Sequence, residues 1–221
     1  ANFKPNEWGY ENIEGNAWQY RIAPLHDGQG LADLFGGRAA LSTAIDDVFN
    51  APRAYLTGSY GNVIHEMKEG YDANMGQYVH ANQTDHGMIY MYNYAGTPAK
   101  TALHARDVMS RLYESGVGTG NGYSGDEDNG SASAWFVFSA MGLFPAGGAV
   151  PEYLIGSPIF QKVTMALENG NTFTVRTVNN SATNMYVQSA TLNGVNYTKN
   201  YITHDAVLQG GTLVLRMGSV P

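Results

Sequence analysis

Up to about residue 145 the apolar positions recur at helical spacing, and beyond about residue 150 they alternate. Residues 16–22 read as a short helix that Asn16 caps and Pro24 closes. Leu31, Leu34 and Phe35 form the stripe of a helix over 26–35 that stops at Gly36-Gly37, and Leu41, Ile45, Val48 and Phe49 repeat it over 38–49. Two helices around a Gly-Gly turn make a hairpin. Between residues 50 and 76, Pro52, Gly58, Gly61, Gly70 and Gly76 interrupt any long period, which predicts a long loop with a short helix near 62–69. Long structured loops in compact domains tend to be functional.

The segment 83–94 is apolar on nearly every side through Met88, Ile89, Met91, Tyr92 and Tyr94, the pattern of a helix buried in a bundle. Gly96-Thr97-Pro98 ends it and starts another over 98–113, with Leu103, Val108, Met109 and Leu112 as its core stripe. A last helix, 131–141, is hydrophobic enough to be central and is closed by Gly142 and Pro145. The period then changes. Segments 163–167, 172–178, 185–192 and 212–217 alternate or are β-branched, and Asn169-Gly170 and Asn193-Gly194 are hairpin turn signals. The expected fold class is α+β: helical hairpins over 1–145, then an antiparallel β-module over 146–221.

Composition narrows the partners. With 221 residues the protein can bury a sizeable core as one large domain or two smaller ones. Charged residues are 14% against 12% aromatic, so the surfaces use neutral polar and aromatic groups, and disorder is not expected. A formal charge of −7 with only 12 Lys and Arg argues against nucleic acid. The absence of cysteine excludes disulfides and thiolate metal sites without choosing a compartment. No apolar run is long enough for a membrane span, and the first residues show no signal-peptide pattern. Asn82, Asn129, Asn179 and Asn196 open glycan-acceptor triplets, two of them inside the candidate site, which favours a bacterial source.

The candidate chemistry centres on 122–145, where a glycine-rich turn presents Asp126, Glu127 and Asp128 and runs straight into the last apolar helix. Capping and dipole complementation need only one carboxylate there. Glu14, in Glu-Gly-Asn-Ala-Trp-Gln-Tyr, is a second acidic centre, beside aromatic rings that could stack on a sugar and raise its pKa by desolvation. Two separated acidic centres are the minimum for glycosidic cleavage, and each on its own is also explained as a solvated or capping group. Asp126-Glu-Asp-Asn-Gly130 is not an EF-hand, since ligand positions are missing, but Asp128 with Asn82 or Gln83 offers oxygen ligands to Ca²⁺. His65-Glu66 is not the zinc motif, because Glu69 stands where its second histidine belongs. His80 and His86 flank the Asn82-Gln83 turn and could line a pocket, while His104 reads as helix surface. No Gly-x-Ser-x-Gly nucleophile motif is present.

Taken together, Glu14-Gly-Asn-Ala-Trp-Gln-Tyr, Gly76-Gln-Tyr-Val-His-Ala-Asn-Gln, Tyr90-Met-Tyr-Asn-Tyr-Ala-Gly and Gly125-Asp-Glu-Asp-Asn-Gly, continued by Ser133-Ala-Trp-Phe-Val-Phe-Ser-Ala-Met-Gly-Leu-Phe-Pro, resemble family 92 of the glycoside hydrolases, the calcium-dependent exo-acting α-mannosidases. Tyr153-Leu-Ile-Gly-Ser-Pro and Gly210-Gly-Thr-Leu extend the resemblance over nearly the whole sequence. It implies that the helices are the last part of an (α/α)₆ barrel and that α-mannoside glycans are hydrolysed in one inverting step. Glu14 would then be the general acid and Asp128, assisted by Asp126, the general base, with the two carboxyls about 6.5–9.5 Å apart to admit a water. Ca²⁺ on Asn82, Gln83 and Asp128 would bind sugar hydroxyls, and Trp18, Asp27 and His86 would contact the substrate.

Asn82-Gln83-Thr84 stands where the family often has Asn-Glu-Pro, so one less negative charge predicts weaker ion binding. Pro24-Leu-His-Asp27 replaces a common Pro-x-Asp. The resemblance also implies a bacterial secreted or periplasmic protein and an N-terminal β-sandwich and barrel region on the same or another polypeptide. Without that region, the Trp, Tyr and Phe positions of the helices are expected to face water. The alternative reading is a non-catalytic, calcium-dependent carbohydrate-binding fragment.

Overall fold

The computed structural model describes residues 4–113, 122–145, 147 and 150–221. Among the described residues the helices are α1 (Ala17–Tyr20), α2 (Gly28–Leu34), α3 (Arg38–Asn50), α4 (His65–Ala73), α5 (Met91–Tyr94), α6 (Pro98–Leu112), α7 (Ser131–Met141) and α8 (His204–Leu208). The strands are β1 (Leu143–Pro145), β2 (Glu152–Ile155), β3 (Lys162–Ala166), β4 (Thr172–Val178), β5 (Tyr186–Leu192), β6 (Val195–Tyr197), β7 (Tyr201–Thr203) and β8 (Gly211–Gly218). Helical hairpins followed by a β-module are the architecture that the periodicity predicts.

The predicted 83–94 helix is replaced by 3₁₀ turns at Gln83–Asp85 and Met88–Tyr90 before α5. The reason is local. Asp85 turns its carboxylate back onto the Val79 N–H at 2.5 Å, and Gly87 sits where an added Cβ would collide with a Leu25 methyl carbon. The expected burial of Met88, Ile89, Met91 and Tyr92 nonetheless holds. The short helix expected near 62–69 is α4, displaced to 65–73, which puts His65, Glu66 and Glu69 on consecutive turns.

The β-module is mixed, not purely antiparallel. Its larger sheet has the order β3-β4-β8-β5-β6, and β8 lies antiparallel to β5 but parallel to β4. Inserting the last strand between two earlier ones fixes that direction, and the passage through β5, β6, β7 and α8 supplies the crossover a parallel pair needs. Both Asn-Gly signals are turns of antiparallel pairs, β3–β4 and β5–β6. A smaller sheet, β1-β2-β7, was not foreseen; it grows directly out of α7.

One core gathers Ile22, Leu41, Ile45, Tyr78, Met88 to Tyr92, Val108 and Trp135 among the helices, and a second gathers Phe173, Val175, Ile202, Leu213 and Leu215 in the β-module. Trp8, Trp135, Tyr78, Tyr90 and Tyr92 are fully buried, so most of the aromatic positions expected to meet water are covered within this polypeptide, although Tyr71 of α4 is exposed. Aliphatic positions face solvent as well, Leu34 at 86% and Val137 at 54% exposure among them. His104, read as helix surface, is sandwiched between Phe49 and Tyr92, and burial lowers its pKa to about 4.

Candidate active site

Glu14 is exposed at the mouth of a loop whose shape is set by buried amides. Asn16 caps α1 by accepting the Trp18 N–H at 2.9 Å, while Gln19 accepts the Asn16 N–H at 2.6 Å, a reciprocal capping box. The Asn16 amide also donates to Gln77 Oε1 at 3.0 Å, and Gln77 in turn donates to the carbonyl of Pro52 at 2.6 Å. Glu14 itself has φ +52°; its N–H donates to the Tyr60 hydroxyl at 2.7 Å and its carbonyl accepts from Asn82 Nδ2 at 2.7 Å. Non-glycine residues in the left-handed region cost on the order of 1–3 kcal/mol and gather at functional sites. Here the carboxylate is aimed outward by a backbone that its neighbours hold in place.

The facing turn has the same character. Asp128 and Asn129 have φ +50° and +58°, followed by Gly130 at +95°. Gly125 brings the turn against Ala81, where an added Cβ would lie 2.9 Å from the Ala81 Cα. Glu127 caps α7: its carboxylate accepts the N–H groups of Ser133, at 3.1 Å, and of Gly130, and these bonds hold its pKa low. That leaves the exposed Asp126 and Asp128 free of the helix terminus. Asp128 Oδ2 accepts a hydrogen bond from Gln83 Nε2.

Asn82 and Gln83 are therefore a two-residue bridge. One amide fixes the backbone of Glu14 and the next holds the carboxylate of Asp128. Their amide oxygens remain available for a cation, and with Asp128 they form the all-oxygen donor set that suits Ca²⁺. Turning the Gln83 amide over would exchange its bond to Asp128 for a shared ion. Among the described residues no group of three or more His, Asp or Glu is arranged around a metal position. The amide oxygens would have to carry that role.

α4 contributes groups the sequence did not single out as site residues. His65 Nε2 lies 3.1 Å from Glu66 Oε1 and 3.8 Å from Asp126 Oδ2, and its Nδ1 lies 3.3 Å from Glu69 Oε1. Burial raises the pKa of Glu66 against the pull of His65, and the negative charges of Glu14 and Asp126 raise it further. Glu66 Oε2 is buried without a hydrogen-bond partner among the described residues. Glu14, Glu66 and Asp126 thus share one field, although more than fifty residues separate the first two. A buried charged pair at i and i+3 on a loop helix was the available signal.

The substrate-contact candidates fall in three places. His86 is buried beside the bridge: Nε2–H donates to the His80 carbonyl at 3.0 Å, Nδ1 lies 3.3 Å from Ser131 Oγ, and burial lowers its pKa to about 4. It is a neutral wall of a cavity of roughly 450 Å³ that Gln83, Trp135 and Phe138 also line. Trp18 is half-buried, with its indole N–H committed to Asn6 Oδ1 at 2.6 Å. Asp27 caps α2 through the Gly30 N–H at 2.8 Å and lines a separate hollow with Pro24 and Leu34. A larger cavity of roughly 700 Å³ lies between α6 and the β5–β6 hairpin, but no carboxylate lines it.

The acidic turns of Glu14 and Asp128 thus meet the two ends of the Asn82-Gln83 bridge, and Gln83 and His86 line the hollow beside it. The catalytic-domain profile of glycosyl hydrolase family 92 matches residues 1–219, and the chain belongs to that family. It is 47% identical to a family 92 inverting mannosidase from Bacteroides thetaiotaomicron VPI-5482, with a TM-score of 0.82 over 100% of this chain and 29% of that one. A family 92 α-mannosidase from Bacteroides thetaiotaomicron is 29% identical, with a TM-score of 0.82 over 99% of this chain and 26% of its own. A curated relative from Arthroderma benhamiae, described as an uncharacterized secreted glycosidase, is 33% identical over 94% of this chain and 24% of its own length. The chain spans about a quarter to three tenths of these relatives.

Proposed function

We propose that this polypeptide supplies the acid and base carboxylates of an exo-acting α-mannosidase that cleaves terminal α-mannosides with inversion. The observation that carries the reading is the Asn82-Gln83 bridge, which holds Glu14 on one side and Asp128 on the other. Glu14 donates a proton to the departing glycosidic oxygen. Asp128 takes a proton from the attacking water, and Asp126 adds negative charge beside it. His65 positions Asp126 and keeps Glu66 and Glu69 from repelling it. His86, neutral and walled in by Trp135, gives the hollow an uncharged edge suited to a sugar.

The residues fit Ca²⁺: Asn82, Gln83 and Asp128 would hold it, and when bound it would supply coordination sites for sugar hydroxyls. With a single carboxylate in this set, its binding is expected to be weak. The similarity to the Bacteroides mannosidases supports a mannoside substrate, and the similarity to the fungal secreted glycosidase supports secretion. We assign the remainder of the substrate pocket to the part of the longer relatives that this chain does not span.

In the natural polypeptide that includes this sequence, Glu14→Gln and Asp128→Asn are each expected to reduce hydrolysis of an aryl α-mannoside by about 10²–10⁴-fold. Unchanged turnover in both variants would remove the assignment. Calcium at a hundredfold excess over its dissociation constant should stabilise the parent by about 2.7 kcal/mol and the Asp128→Asn variant less, read from urea unfolding without any assay of activity.

A further inference from the structure

Chemistry of a different kind is set up one residue beyond Asp128. Three Asn-Gly pairs lie wholly within the described residues: Asn129-Gly130, Asn169-Gly170 and Asn193-Gly194. In such pairs the backbone nitrogen of the glycine can attack the asparagine Cγ, since no Cβ on the glycine obstructs the approach. We propose that Asn129 is a built-in site of spontaneous deamidation, favoured by the fold over the other two.

The three environments differ at both reacting groups. Asn169 is tied at both ends of its amide: Oδ1 accepts the Asn171 N–H at 3.0 Å and Nδ2 donates to the Leu208 carbonyl at 2.8 Å. Asn193 Oδ1 accepts the Thr212 N–H at 2.7 Å and is packed against Gly211. Each must break these bonds before its Cγ can swing over the next nitrogen. The Asn129 side group is exposed and has no hydrogen-bond partner among the described residues. A Cβ added to Gly130 would meet nothing within 4 Å, and the same holds at Gly170 and Gly194, so the approach is open at all three and the asparagine amide makes the difference.

The nucleophile differs as well. The Gly170 N–H donates to the Leu167 carbonyl at 2.9 Å, which is no base, whereas the Gly130 N–H donates to the Glu127 carboxylate. In the proposed step Glu127 receives the Gly130 proton as the nitrogen bonds to Asn129 Cγ, and that proton then passes to Nδ2 as the Cγ–Nδ2 bond breaks, so the amide nitrogen leaves as ammonia and Glu127 is restored. Water then opens the succinimide at either carbonyl. The net change is amide plus water to carboxylic acid plus ammonia, leaving aspartate or isoaspartate at 129.

Either product puts a new negative charge next to Asp128, and isoaspartate adds a backbone carbon to the turn that places it. That consequence rests on Asp128 being the base; the deamidation does not. The test ages the folded protein at mildly alkaline pH and locates deamidated asparagine by fragmentation mass spectrometry, with a parallel sample in urea. Asn129 should convert several-fold faster than Asn169 and Asn193 in the folded protein, and that preference should collapse in urea. Glu127→Gln should slow Asn129 alone. Equal or slower conversion at Asn129 in the folded protein, or a preference that survives unfolding, would overturn the proposal.

Discussion

Glu66 has an exposure of 5%, its carboxylate meets His65 on one oxygen, and the other oxygen has no partner among the described residues. Burial raises the pKa of Glu66 and of Glu69. Burial opposes the charge on His65, but Glu66, Glu69 and Asp126 together outweigh it and raise that pKa too. All three groups hold protons more tightly in the folded protein than in the unfolded one. Their contribution to stability is therefore full below the unfolded values, 4.5 for the carboxyls and 6.5 for the imidazole, and is lost as the pH rises through the higher folded values. In the double variant Glu66→Gln/Glu69→Gln, this decline as the pH rises above the unfolded carboxyl value of 4.5 should flatten in urea titrations. A slope equal to the parent's would refute the cluster's role.

At the scale of elements, α1 shows how a four-residue helix can matter more than its length suggests. It contributes little helical stability by itself, since short helices are marginal alone. Its cap, however, ties the Glu14 loop to Gln77 and through it to the backbone at Pro52. Asn16→Ala removes the cap and leaves the Gln77 amide oxygen without that donor. The expected loss is about 1–3 kcal/mol in unfolding free energy, together with reduced turnover even though no reacting group is altered. Loss of stability with fully retained turnover would show that the loop holds its shape without the cap. The Asn16 cap was legible, because Asn before an apolar run is a local signal. The break between Gln83 and Tyr94 was not, because it depends on Asp85 reaching Val79 and on Leu25 crowding Gly87, neither of which is a matter of periodicity.

Across the whole molecule, two polar residues join the helical core to the β-module. Asn93 donates to the carbonyls of Ile155 and Asn200 at 2.9 and 3.0 Å. Arg106 Nε donates to Ser157 Oγ at 2.9 Å, and Nη2 donates to Asn180 Oδ1 at 2.7 Å. Asn93→Ala should cost about 1–3 kcal/mol by removing the side-chain donor to the Ile155 carbonyl, while the Asn200 carbonyl keeps the Ile155 N–H. Arg106→Met should make unfolding followed by tryptophan fluorescence, which reports the helical part, precede unfolding followed by β-sheet circular dichroism. Coincident transitions in Arg106→Met would mean that the apolar contacts alone couple the two cores.

The order of helices and strands and the Asn-Gly turns were fixed by local sequence, since spacing of apolar residues, capping groups and turn residues act within a few positions. Inside Asp126-Glu127-Asp128 the resemblance gives Asp126 and Asp128 to the base side and leaves Glu127 to the helix terminus, and its carboxylate does accept the Gly130 and Ser133 N–H groups there. Tertiary structure alone decided that β8 enters between β4 and β5, that α4 brings His65 and Glu66 near Asp126 and Glu14, and that Asn82-Gln83 spans from Glu14 to Asp128. Those contacts join residues tens of positions apart. Long-range pairing depends on how buried surfaces and unsatisfied backbone groups fit in three dimensions, and no period in the sequence encodes it.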